Sequence, residues 1–116
     1  MSNAFDENAL MDRVDGDLEF LEETTAMLEE DSPALLEQLR TAAAARDAEN
    51  LIKAAHALKG MLANFCAEPA ESAARKLETM GRQERLTDVD AATDQVQQET
   101  QRLLEALHEF LRSKTE

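Results

Sequence analysis

The chain has 116 residues, enough for one domain with a modest core. Its 12 Lys+Arg stand against 25 Asp+Glu, a formal net charge of −13; that balance argues against nucleic acid and against anionic membrane surfaces, because phosphate backbones demand clustered cations. Three Gly, two Pro, no Trp and no Tyr, with abundant Ala, Leu, Glu and Gln, point to an all-α domain.

Residues 1–4 read as a tag remnant or a disordered start, and the expected domain runs from 5 to 114. Asp6 is a good N-cap for a short helix, with Phe5 and Leu10 at hydrophobic-staple spacing. Gly16 breaks that helix near Asp15. A piece this short does not stand alone, so it is expected to lie as a lid over one end of a bundle. The first long helix spans about Asp17 to Ala45. Pro33 interrupts it, and two readings compete: a new helix opened by Ser32 and Pro33, or one kinked helix. Leu18, Leu21, Thr25, Leu28, Ser32, Leu35, Leu39 and Ala42 keep one three-four spacing across the proline, which favours the continuous helix.

Arg46-Asp47 makes a tight turn, and Asp47 caps a helix expected to reach about Cys66. Pro69 then opens a third long helix at its first position and Gly81 ends it. Ala70, Ala73, Leu77 and Met80 form its apolar face. Arg82 to Leu86 reads as a polar loop. Thr87 with Asp90 resembles a capping box for the last helix. Val89, Ala92, Val96, Leu103, Leu107 and Phe110 supply its core stripe, and Arg112 and Lys114 suit its C-terminal dipole. Four helices with short connections imply an antiparallel four-helix bundle with a short N-terminal capping helix.

The most informative stretch lies on the second long helix. At about 100° per residue, Leu51, Ala55, Leu58, Leu62 and Phe65 share one side. His56, Gly60 and Ala63 point away from it, and Lys59 sits at the edge. Positions three and four residues on are a side chain's nearest helical neighbours. Lys59 therefore reaches whatever His56 holds, and Gly60 leaves space beside it. A mid-helix glycine costs about 1 kcal/mol relative to alanine; close approach of a partner or tight helix packing would account for it, and Gly60 faces away from the apolar stripe.

His56-Ala57-Leu58-Lys59-Gly60, followed by Ala63-Asn64-Phe65, resembles the phosphorylation motif of histidine phosphotransfer (HPt) domains of two-component phosphorelays. The likeness extends to Phe5-Asp6, Gly16-Asp17, Ala54-Ala55, Leu77-Glu78 and Gly81, and so covers nearly the whole chain. It implies a relay in which His56 accepts a phosphoryl group from one receiver-domain aspartate and passes it to another. An imidazole is largely neutral at pH 7 and nucleophilic without an added base. Lys59 would neutralise phosphoryl oxygens as a point charge, and Gly60 would give steric access. The resemblance places Mg²⁺ and the acidic cluster on the partner, so the chain needs no cofactor of its own. Response-regulator receiver domains and a hybrid sensor histidine kinase are the implied partners, with the chain either a separate protein or a module of such a kinase. Ile52, Ala63, Asn64 and Ala67 are expected to form the partner patch around His56. Met61, Leu62 and Cys66 depart from the family, which usually has small residues at the first two positions and glycine at the third.

No ATP-binding segment, P-loop, nucleophile elbow or dinucleotide motif is present, so no kinase activity of its own is expected. His56, His108 and Cys66 show no metal-ligand spacing. His108, beside Leu104 and Leu111, reads as structural, Cys66 as a buried small residue, and the paired glutamates as solvated faces. No apolar run approaches 18 residues and no secretory signal pattern opens the chain. The single Cys66 fits a reducing cytoplasm. No long apolar stripe is expected to remain once the bundle forms, so a monomer is expected rather than an oligomerisation module. The rival reading is a helical adaptor that binds receiver domains without being phosphorylated.

Overall fold

Three aspartates set the helix starts. Each stands one residue before a helix and turns its carboxylate onto that helix's third amide: Asp6 accepts from Ala9 at 3.0 Å, Asp17 from Phe20 at 3.0 Å and Asp47 from Asn50 at 3.2 Å. The helices they open are α1 (Glu7–Arg13), α2 (Leu18–Ala45) and α3 (Ala48–Ala63), followed by α4 (Glu68–Arg82) and α5 (Val89–Thr115), in a computed structural model that describes residues 3–115. No strand is present among the described residues.

Every corner between helices turns on a left-handed residue: Asp15 and Gly16 (φ 55° and 71°), Arg46 (54°), Cys66 (53°) and Glu84 (53°). This lets the following amides bond back onto the last helical turn; Asp47 N reaches Ala42 O and Arg85 N reaches Met80 O, each at 2.9 Å. Cys66 takes a φ that glycine adopts without steric cost. α3 therefore ends at Ala63, short of the expected Cys66.

Packing follows chain order, with α3 against α2 and α4, and α5 closing the ring against α4 and α2. This is the expected antiparallel four-helix bundle. Polar pairs fix the α2–α5 register: Arg46 with Asp90 at 3.0 Å, Arg40 with Asp94 at 3.2 Å and with Gln97, and Glu29 with His108 at 3.0 Å. The pairing of low with high numbers makes the two helices antiparallel. α2 is continuous through an exposed Pro33. Its expected inner face holds, with Leu21, Thr25, Leu28, Ser32, Leu39 and Ala42 buried and Leu18 and Leu35 half-buried.

Helix lengths differ in a way that matters. α2 has 28 residues and α5 27, but α3 has 16 and α4 15. At about 1.5 Å per residue, α3 runs back along only about 24 Å of a helix about 42 Å long. Beyond its end, the N-terminal part of α2 shares a groove with α1 and residues 61–65. Asp6 N bonds Cys66 O at 3.0 Å, and the Phe5 ring meets Phe110 edge-on at 5.6 Å. α1 is thus the expected lid. Ala4 is buried with Phe5, so the packed region begins before residue 5; residues 1 and 2 of the expected tag lie outside the described residues.

Two expected boundaries are corrected. Asp88, not Thr87, precedes α5, and its carbonyl accepts from Ala92 N at 3.2 Å; the proposed capping box is one residue out of register. Gly81 does not end α4. It lies inside the helix and lets α3 approach, because an added Cβ would stand 2.7 Å from Ile52 Cγ1. Overpacking of that kind costs typically about 1–3 kcal/mol, against about 1 kcal/mol gained by alanine in a helix. Gly81→Ala is expected to lower stability in urea melts by about 1 kcal/mol. In an Ile52→Ala background the same step should become neutral or favourable, and equal effects in both backgrounds would remove the contact as the cause.

Candidate functional site

The sequence puts His56 on the outer face of α3 because Leu51, Ala55, Leu58 and Leu62 carry the inner one, and all four are buried. The His56 side chain is 65% exposed. Gly60, one turn on, is exposed, and a Cβ there would meet nothing within 4 Å. This open space is what the pattern of the helix predicted. Tight packing does not explain the glycine.

Beneath the imidazole lies a group the sequence reading gave no role. Glu78 of α4 is a buried carboxylate, 5% exposed. Its Oε2 lies 3.0 Å from His56 Nδ1 and accepts from Arg82 at 2.7 Å, while its Oε1 lies 2.7 Å from Lys59 Nζ. Burial pushes this carboxyl up, but the hydrogen bonds from Lys59, Arg82 and His56, with the Lys59 charge, outweigh it and hold the group at about 2. An ionised carboxylate only accepts. His56 Nδ1 must therefore carry the proton, and the lone pair is left on Nε2, the distal nitrogen of an exposed ring. With a neutral imidazole the cluster holds two cations and one anion, a surplus of one positive charge.

A helical-wheel signal for Glu78 was available. It lies four residues after Ala74 and three before Gly81, both buried on the face of α4 that packs inward. A carboxylate on that face requires a cationic partner, and Lys59 was already at the edge of the facing helix.

The expected partner patch loses Ala67. Ala67 is fully buried and forms the N-cap of α4, because the left-handed turn at Cys66 takes the chain off the α3 wheel. Ile52 is half-buried and wedged against Gly81. Ala63 is half-buried, and Asn64 is exposed with its Oδ1 accepting from Arg13 at 3.3 Å. Of these four, only Ala67 is withdrawn from the surface. His108 is exposed, with Nε2 3.0 Å from Glu29 Oε2, a contact between α5 and α2. No group of three or more His, Cys, Asp or Glu among the described residues is placed to hold a metal ion. None of the described helices is long and apolar enough to cross a membrane.

The site is thus an exposed histidine above a buried carboxylate that two cations of the same helix pair also reach. The family model of the Hpt domain matches residues 23–109, from within α2 through most of α5. The chain belongs to the Hpt family, whose members carry phosphoryl groups in two-component phosphorelays, have no kinase activity of their own, and interact with response-regulator receiver domains and kinases. Searches among curated proteins and among solved structures gave no significant match.

The Glu78 cluster makes stability depend on pH. The folded-state pKa of about 2 lies below the ordinary 4.5, so the contribution is fully present above about pH 4.5 and is lost as pH falls toward 2. Its upper bound is about 3 kcal/mol. Urea melts at about pH 6 and about pH 3 are expected to show a larger loss for the native chain than for Glu78→Gln. Parallel losses would mean that other carboxylates carry the acid sensitivity.

Proposed function

We propose that His56 is the phosphoryl carrier, accepting from an aspartyl phosphate on one receiver domain and giving to an aspartate on another. The Glu78–Nδ1 contact is the observation that carries this reading. It leaves Nε2 free to attack phosphorus. The N–P bond forms as the P–O bond to the aspartate breaks, and that electron pair stays on the carboxylate oxygen. The Nδ1 proton remains, so the ring becomes cationic, and Glu78 faces that charge at hydrogen-bond distance. A cationic ring is a good leaving group, which keeps onward transfer to a second carboxylate feasible.

Phosphoryl transfer depends on positioning and charge neutralisation more than on covalent help. Lys59 and Arg82 supply that charge. Both are bound to Glu78 before phosphorylation, so Lys59 is a shared cation rather than a free one. Arg82, 61% exposed, is the more accessible of the two. Mg²⁺ belongs to the partner receiver in this reading. The chain acts as a cytoplasmic monomer without kinase activity, as a separate protein or as the HPt module of a hybrid sensor histidine kinase.

Incubation with phosphoramidate, read by intact mass and ³¹P NMR, is expected to give one acid-labile, base-stable phosphate. His56→Gln should abolish it while the circular-dichroism melt is retained; label persisting in that variant would remove His56 as the site, and no adduct on the folded native chain would favour the adaptor. Gly60→Ala separates access from chemistry. With open space at its Cβ it should raise stability by about 1 kcal/mol, yet slow transfer with receiver domains more than labelling by the small donor. A stabilised variant with native transfer rates would show that the glycine is not there for access.

A further inference from the structure

Gly81 of α4 meets Ile52 of α3 one helical turn from the Glu78–His56 pair. Ile52 precedes His56 by four residues and Gly81 follows Glu78 by three, so the two contacts lie side by side on one seam between antiparallel helices. The inward faces of both helices are rich in small residues. Ala54 and Ala55 of α3 are buried, and so are Ala70, Ala73 and Ala74 of α4. Small side chains at a contact let helix axes draw together.

Gly81 leaves no room for more. A Cβ at this position would stand 2.7 Å from Ile52 Cγ1 and 3.4 Å from the Ala48 carbonyl oxygen. Cγ1 belongs to a β-branched side chain with a stiff χ1, and Ala48 O is backbone, so neither yields freely. Ordinary contact begins at 3.4 Å. Reaching it from 2.7 Å pushes the helices apart by about 0.7 Å at this turn. The His56 Nδ1–Glu78 Oε2 pair starts at 3.0 Å. The same displacement carried one turn along takes it past about 3.6 Å, where no side-chain hydrogen bond is made. The cations are less sensitive. Arg82 shares α4 with Glu78 and moves with it, and Lys59 reaches across on a flexible four-carbon stem. The imidazole contact is the one that the helix spacing controls.

Resting on the reading of His56 as the carrier, we propose that Gly81 is a positioning residue for the transfer. By letting α4 close on Ile52, it keeps Glu78 against Nδ1 and the lone pair on Nε2. Among the described residues, Glu78 is the group that hydrogen-bonds the ring. Once it withdraws, both neutral tautomers are populated. The form with its proton on Nε2 has no lone pair there and cannot attack phosphorus. Two glycines then serve one histidine from opposite sides, Gly60 by leaving space beside it and Gly81 by closing the space beneath it.

The full chain labelled with ¹⁵N-histidine reads the tautomer directly, since the shifts of a neutral ring separate a protonated nitrogen from one with a lone pair. His108→Gln assigns the second histidine. In the native chain Nδ1 should read as protonated and Nε2 as the lone-pair nitrogen. Gly81→Ala should move both shifts toward a mixture of tautomers, and phosphoramidate labelling should slow by the fraction of lone pair lost from Nε2. Adding Ile52→Ala to that variant should return both readouts to native values. Val96→Ala, a cavity in the buried face of α5, should lower stability without moving either shift, which separates positioning from stability. Glu78→Asp withdraws the carboxylate by one methylene with the seam untouched and should give the mixed shifts again. Native shifts in folded Gly81→Ala or in Glu78→Asp, the same change in Val96→Ala, or no return in the double variant would each overturn the positioning role. The shifts are read without phosphate, so the two claims fail separately. Native shifts in a Gly81→Ala chain that labels normally sink only the positioning, whereas a native chain with the expected tautomer that takes no label sinks the carrier reading.

Discussion

One buried carboxylate organises the functional face. Glu78 sits where α4 meets α3, and its two oxygens face three donors: the imidazole, the Lys59 ammonium and the Arg82 guanidinium. Removing either cation would leave the buried carboxylate undercompensated. Helix packing, side-chain rotamers and the imidazole tautomer are therefore coupled at one point. The contact with Ile52 at Gly81, one turn along α4, holds the same two helices close. The glycine brings the backbones together, and the carboxylate uses that approach to reach across.

The same coupling bears on transfer. A carrier must hold a phosphoryl group without keeping it. A cation dedicated to the phosphoryl oxygens would favour the loaded state alone. Lys59 and Arg82 instead have an anion to return to, so the loaded and unloaded states compete for one pair of charges. The surplus of one positive charge in the resting cluster is smaller than the charge of about −2 that a phosphoryl group would bring.

Much of this was legible in the sequence because it is local. An aspartate one residue before a helix accepts from its third amide whatever the rest of the chain does, and Asp6, Asp17 and Asp47 all do so. The unbroken three-four spacing across Pro33 carried the continuity of α2. What escaped is tertiary. Gly81 looks like a helix end from its own neighbours, and only Ile52 on another helix explains it. Ala67 was placed by extending a wheel through Cys66, whose left-handed φ ends the wheel's validity. Glu78 was passed over because an acid in a chain of net charge −13 is solvated by default. The exposure of Phe20 and Met27 escaped because it depends on where α3 ends relative to α2, a length difference that no single helix records.

That length difference also separates two tasks. α3 and α4, the short pair, hold the histidine, its carboxylate and both cations. The overhanging part of α2 holds the exposed Phe20 and Met27 and, together with α1 and the turn between them, most of the net negative charge. Contact area and net charge set which partner arrives and how fast, while a few fixed donors set what happens at Nε2. Because the two sets sit on different segments, substitutions on the outer face of α2 leave Glu78 and its donors in place. Substitutions along the α3–α4 seam alter both the fold and the chemistry, since the same carboxylate serves each.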